Sequence, residues 1–183
     1  MGAQVGNMEV RLTVFALFQE VKLPLHGPVP WKTPIPKADA GDKAGIYVVA
    51  RVGQPTMNCE AAPLPLVDPT PANLVIDLDY ERRRWLPNES VVYIGKTDRT
   101  IAARVGEFYN HTVGNASKHA GGQMIKLLQC DLWVYWSRAN APINTENEML
   151  AVFRRHVNGK NPYGNDDGQI KKRVSIAVKL EAD

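Results

Sequence analysis

An α/β fold of the α+β kind, a small mixed or antiparallel sheet flanked by helices, is predicted by three features of this chain. Short runs rich in β-branched and aromatic residues, at 45–52, 90–96 and 131–139, are bounded by turn formers as strands are. Segments 98–111 and 143–157 carry apolar residues at helical spacing. Two proline-punctuated stretches, 24–36 and 53–73, divide the chain into an N-terminal strand and arm over 1–43 and a main domain over 44–183 with an insertion at 53–89. The alternation of strands and helices, with no internal repeat, predicts a layered sandwich.

Each element has its own warrant. Residues 8–23 (MEVRLTVFALFQEVKL) are apolar enough for a strand or a short helix, and their periodicity fits both. Pro24, Pro28, Pro30, Pro34 and Pro36 then hold a connecting arm extended, because proline restricts its own φ and its predecessor. After the strand at 45–52, Pro55, Pro63, Pro65, Pro69 and Pro71 mark a surface loop. Inside the insertion, Leu74, Ile76 and Leu78 alternate with Val75, Asp77 and Asp79, predicting a strand with one wet face. The glycine-bounded GGQMIKLLQ is expected to be helical, 158–169 turn-rich, and KRVSIAVKL a last strand.

Composition narrows the class. A chain of 183 residues with 44% hydrophobic and 22% charged content suits one soluble domain with a sizeable core. A net charge of +3 and a pI near 8.9 are compatible with a polyanionic partner. Arg82-Arg83-Arg84, Arg154-Arg155-His156 and Lys171-Lys172-Arg173 are the local clusters that meet phosphate or form solvated faces. Cys59 and Cys130 are isolated from any CxxC pattern, which argues against a disulfide scaffold or zinc site and suits a reducing cytoplasm. No apolar run approaches the roughly 20 residues that span a bilayer. The start MGAQVGNMEVRL lacks the features of a signal peptide, so a cytoplasmic protein with no membrane partner is expected.

The chemistry concentrates in a few residues. Gly45-Ile46-Tyr47 and Tyr93-Ile94-Gly95 each place a glycine-edged tyrosine in a strand. Antiparallel pairing brings both phenols onto one face, whether for packing or for reaching a phosphate. Lys96 follows the second tripeptide as a cation or an exposed strand-end residue. On the next helix, Ile101, Ala102, Val105, Phe108 and Tyr109 form an apolar stripe, with Arg104 and His111 on its edge. An arginine there either clamps phosphoryl oxygens bidentately or lays its stem on the core. His111 also suits the helix macrodipole.

On the last helix, Ile143, Met149, Leu150, Phe153 and Val157 define the apolar face, and Glu146 falls within it. Glu148 points away and, with Thr145, fits a capping box. A carboxylate on the buried face is costly unless paired or bound to a cation, and magnesium suits one carboxylate with several waters.

The order GIY, YIG, Arg104, Glu146 and Pro162-Tyr163-Gly164-Asn165 resembles the GIY-YIG nuclease family over about residues 44 to 170. The resemblance implies a DNA endonuclease that hydrolyses phosphodiesters with one magnesium or manganese ion on Glu146. It implies site roles for Tyr47, Tyr93, Lys96, Arg104, His111 and Asn165, the last bonding phosphate or orienting a strand end. Phe108 stands where the family often has His or Tyr, and the tyrosine strands are joined by a long insertion. The alternative expectation is a catalytically inactive module of this fold that binds nucleic acid or protein. A homodimer is compatible with the sequence.

Overall fold

Thr13 opens the first helix, its hydroxyl accepting the Ala16 amide at 3.0 Å. The computed structural model describes residues 12–51, 83–111 and 130–165, together with Ile125, Lys126 and Leu128. The expected strands at NLVIDLDY and KRVSIAVKL, the Lys171 cluster, Cys59 and most of GGQMIKLLQ lie outside the described residues.

Helix α1 spans Val14–Glu20 and buries Val14, Leu17 and Phe18. The N-terminal stretch thus takes, over these residues, the helical one of its two expected conformations. The proline-rich arm is more than a connector, since strand β1 (His26–Pro30) forms within it and pairs antiparallel with β4 (Leu132–Arg138). Prolines are tolerated there because β1 is outermost among the described strands, its far edge needing no donors from them. Strand β2 (Gly45–Arg51) is buried throughout, and β3 (Val91–Thr97) follows the insertion.

Helix α2 (Ile101–Asn110) starts later than the sequence reading put it, because the Thr100 hydroxyl caps it by accepting the Ala103 amide at 3.3 Å. Helix α3 spans Pro142–His156 with proline in its first turn, where the missing amide costs nothing. That start overturns the Thr145–Glu148 capping box. Thr145 lies inside the first turn and its hydroxyl donates to the Ala141 carbonyl at 3.0 Å. Ile143 is likewise not on the buried face but 52% exposed, because packing begins further along, at Met149, Val152 and Phe153.

The strand order is β1-β4-β2-β3, and every pairing among these strands is antiparallel. The architecture is α+β, and among the described residues it is a four-stranded sheet with helices on both faces. On one face Tyr47, Val49, Val134 and Trp136 pack with Ile101, Val105 and Phe108 of α2. On the other, Ile46, Val48, Ala50 and Ile94 pack with Leu17 and Phe18 of α1 and Met149, Val152 and Phe153 of α3. Full burial of each such aliphatic side chain contributes about 1.5–3 kcal/mol, so the β2 strand anchors both layers.

Candidate active site

The two glycines of the tripeptides are explained by close approach. Tyr47 pairs across the sheet with Gly95, and its ring lies over that residue. A Cβ at Gly95 would come within 2.5 Å of Tyr47 Cζ and 2.6 Å of Tyr93 Cε1. A Cβ at Gly45 would meet the Ser137 carbonyl at 2.1 Å and Ile101 at 2.9 Å. All four distances are shorter than real Cβ contacts, so glycine at both positions lets the sheet, the helix and the phenols meet.

Period-two alternation places Tyr47 and Tyr93 on the same face, as Val49 pairs with Tyr93 and Tyr47 with Gly95. Their ring centroids are 5.9 Å apart. The Tyr47 hydroxyl is in hydrogen-bonding contact with both the Tyr93 hydroxyl and the Arg104 guanidinium. Burial raises the Tyr47 pKa, while Arg104 and the Tyr93 hydrogen bond pull it down. Burial also pushes Tyr93 well above its usual range, with the Tyr47 and Glu146 charges adding to the rise. Tyr47 is therefore the phenol better prepared to carry charge, because donors converge on it and not on its neighbour.

Arg104 sits on the flank of α2 with its Nη1 3.7 Å from Glu107, whose carboxylate is held bidentately by Arg99 at 2.6 and 2.7 Å. Phe108, one turn on, packs against both tyrosines at centroid distances of 6.5 and 5.7 Å. It also meets Trp31 of the arm edge-on at 5.2 Å. The helix thus offers the tyrosine pair a ring with no titratable group. His111 stands beyond, as the C-cap of α2, with its carbonyl accepting the Lys126 ammonium. Lys126 also donates to the Phe108 and Tyr109 carbonyls at 3.2 and 3.0 Å. The cation serving the dipole at this helix end is therefore a lysine 15 residues further along the chain, outside the reach of local pattern reading.

Glu146 lies on the second turn of α3, partly buried as its phase predicts. Burial raises its pKa, and the Lys96 charge opposes the rise. The carboxylate acts electrostatically on both phenols, raising each. Lys96 is also 3.5 Å from Asp98. Tyr47, Tyr93, Arg104, Glu146 and Lys96 thus gather around the β3 end of the sheet, where α2 on one face and the start of α3 on the other both reach it.

Asn165 joins this edge in a structural way. Its Oδ1 accepts the Ile94 amide at 2.8 Å, and its Nδ2 donates to the Ile94 carbonyl at 2.7 Å. Gly164 donates to the Val92 carbonyl at 2.7 Å. Of the two roles open in the sequence, the carboxamide orients the strand edge.

Arginines from two basic strings are structural as well. Arg84 donates to the Tyr163 and Asn165 carbonyls at 2.8 and 3.1 Å. Arg154 reaches Asn161 at 3.1 Å, and Arg155 reaches Glu20 at 3.3 Å. Sequence reasoning named them only as charge, since their partners are distant in the chain. A groove of about 820 Å³ between Lys32, Ile35 and Lys37 of the arm and Ala103, Gly106 and Tyr109 of α2 lies on the far flank of that helix from Arg104.

Compared with protein-family models, curated proteins and solved structures, the chain matches none of them. Among the described residues, no helix is long and apolar enough to cross a membrane.

Proposed function

We propose that this chain is a DNA endonuclease of the GIY-YIG type, hydrolysing phosphodiester bonds with magnesium or manganese. The observation that carries the reading is the convergence of Tyr47, Tyr93, Arg104 and Glu146 at the β3 end of the sheet. Chance tripeptides in an unrelated fold have no reason to bring these groups from four elements together.

The residues suit the cation. Burial raises the Glu146 pKa against the pull of Lys96, a desolvation cost that a bound cation would offset. Magnesium is commonly held by one or two carboxylates, with water and substrate oxygens as its other ligands. Glu146 would hold the ion, which when bound neutralises charge on the phosphate and on the departing 3′ oxygen. Tyr47, as phenolate, takes the proton of the attacking water, with Tyr93 donating to it and holding it in place. Arg104 bridges from that phenol to the phosphoryl oxygens and stabilises their added negative charge. The Lys96 charge opposes the rise that burial imposes on the Glu146 pKa, which favours its carboxylate form.

A second reading, a binding module without catalysis, is favoured by one observation. Tyr47 is only 1% exposed, and Phe108 covers the pair where a polar group would admit a proton path. Incubation of supercoiled plasmid with magnesium or with EDTA separates the two. The nuclease reading expects nicking that EDTA stops, and a loss of at least about 10²-fold in Glu146→Ala and Arg104→Ala that stay folded by circular dichroism. A magnesium-independent gel shift without nicking supports the binder and sinks the nuclease.

A further inference from the structure

Arg84 stands at the return of the inserted segment and reaches across to the loop that closes the β3 edge. We propose that Arg84 is a positioning residue for the Tyr93–Tyr47 pair, acting through Asn165. The proposal rests on the nuclease reading for its catalytic consequence, although the mechanical coupling does not need it.

The path is continuous in hydrogen bonds. The Arg84 guanidinium donates to the carbonyls of Tyr163 and Asn165 and lies 5.9 Å from the Tyr163 ring centroid. Asn165 then bonds both backbone groups of Ile94, the residue between Tyr93 and Gly95. The backbone N–H and C=O of Ile94 point away from β2, since both are taken by Asn165 while Val48 stands opposite as a non-bonded partner, and β3 is outermost among the described strands. Beside the Gly164 amide, which holds Val92, the Ile94 position is held by the Asn165 side chain, and so depends on whatever fixes that side chain.

The same root is tied to the other tyrosine strand. Arg51, the last residue of β2, donates to the Pro87 carbonyl at 2.6 Å and lies 5.3 Å from the Trp85 ring. Trp85 in turn meets Tyr163 edge-on at 5.3 Å. Arg51 and Arg84 therefore fasten the return of the insertion to β2 and to the β3 edge respectively. Both tyrosine strands are set by one junction. Arg84 would then bear on catalysis through this junction by way of Asn165 and Ile94.

The test measures geometry and activity separately. Arg84→Ala is expected to speed hydrogen exchange of the Ile94 amide by about tenfold or more and to move the ¹³Cζ resonance of labelled Tyr93. Its nicking rate is expected to fall on the order of ten- to a hundredfold, with KM unchanged and the pH–rate profile displaced upward. Arg84→Lys, which keeps a donor but loses the fork, is expected to recover part of each effect, and serves if the alanine variant does not fold. Asn165→Ala should reproduce the losses without adding to them. Unchanged Ile94 exchange and an unmoved Tyr93 resonance in Arg84→Ala overturn the proposal whatever the cleavage assay gives. Faster exchange and a moved resonance in a chain whose wild type never nicks DNA uphold the coupling and remove the nuclease reading instead.

Discussion

Tyr47 is asked to take a proton while buried, and its neighbours decide how badly that goes. Burial lifts its pKa above the usual 10, although Arg104 and Tyr93 both oppose the rise. If Tyr47 is the base, the active form is a small phenolate fraction that grows tenfold per pH unit. Nicking should therefore climb with a log slope near one from about pH 7 to 10 without a plateau. Tyr47→Phe should remove the slope along with the activity. A wild-type rate that is flat across that range would assign the base elsewhere. At this scale Gly45, Gly95, Tyr47, Tyr93, Arg104 and Glu146 could be chosen from the residues themselves, because tripeptide spacing and helical phase are local. Asn165 was legible only as two alternatives, since the choice depends on Ile94, which lies 71 residues away.

Helix α2 shows what an element owes to its surroundings. Its N-terminus is capped locally by Thr100, but its C-terminus depends on Lys126, which donates to the Phe108, Tyr109 and His111 carbonyls. Lys126→Met keeps the stem and removes those bonds, so it should destabilise the fold by about 1 kcal/mol, read from urea denaturation. An unchanged midpoint would mean that water serves those carbonyls equally well. Strands β2, β3 and β4 and helix α3 fall within a residue or two of their expected positions, because their periodicity is strong. β1 was hidden by its prolines, which read as a connector until an outer position in the sheet excuses them. The capping box failed because Pro142 starts α3 earlier and draws Thr145 into its first turn.

For the molecule as a whole, the tyrosine pair links stability to pH. In the unfolded chain a phenol titrates near 10, whereas Tyr47 and Tyr93 keep their protons above that in the folded state. The folded protein then binds more protons than the unfolded one, so stability is intact below about pH 10 and falls as pH rises beyond it. Chemical denaturation between pH 8 and 11 should show that fall, reduced in a Tyr47→Phe, Tyr93→Phe double variant. An identical loss in both proteins would detach the effect from this pair. By itself the sequence determined the α+β class, most element positions, the glycine-edged tyrosines and the phases of Arg104 and Glu146, since all of these follow from repeats of 2 and 3.6 residues along a short stretch of chain. Only the tertiary structure decided that the phenols touch, that Arg104 serves Tyr47 and that Arg84 and Asn165 clamp the β3 edge. Those pairings join residues tens of positions apart, and no local period encodes which distant donor will meet which carbonyl.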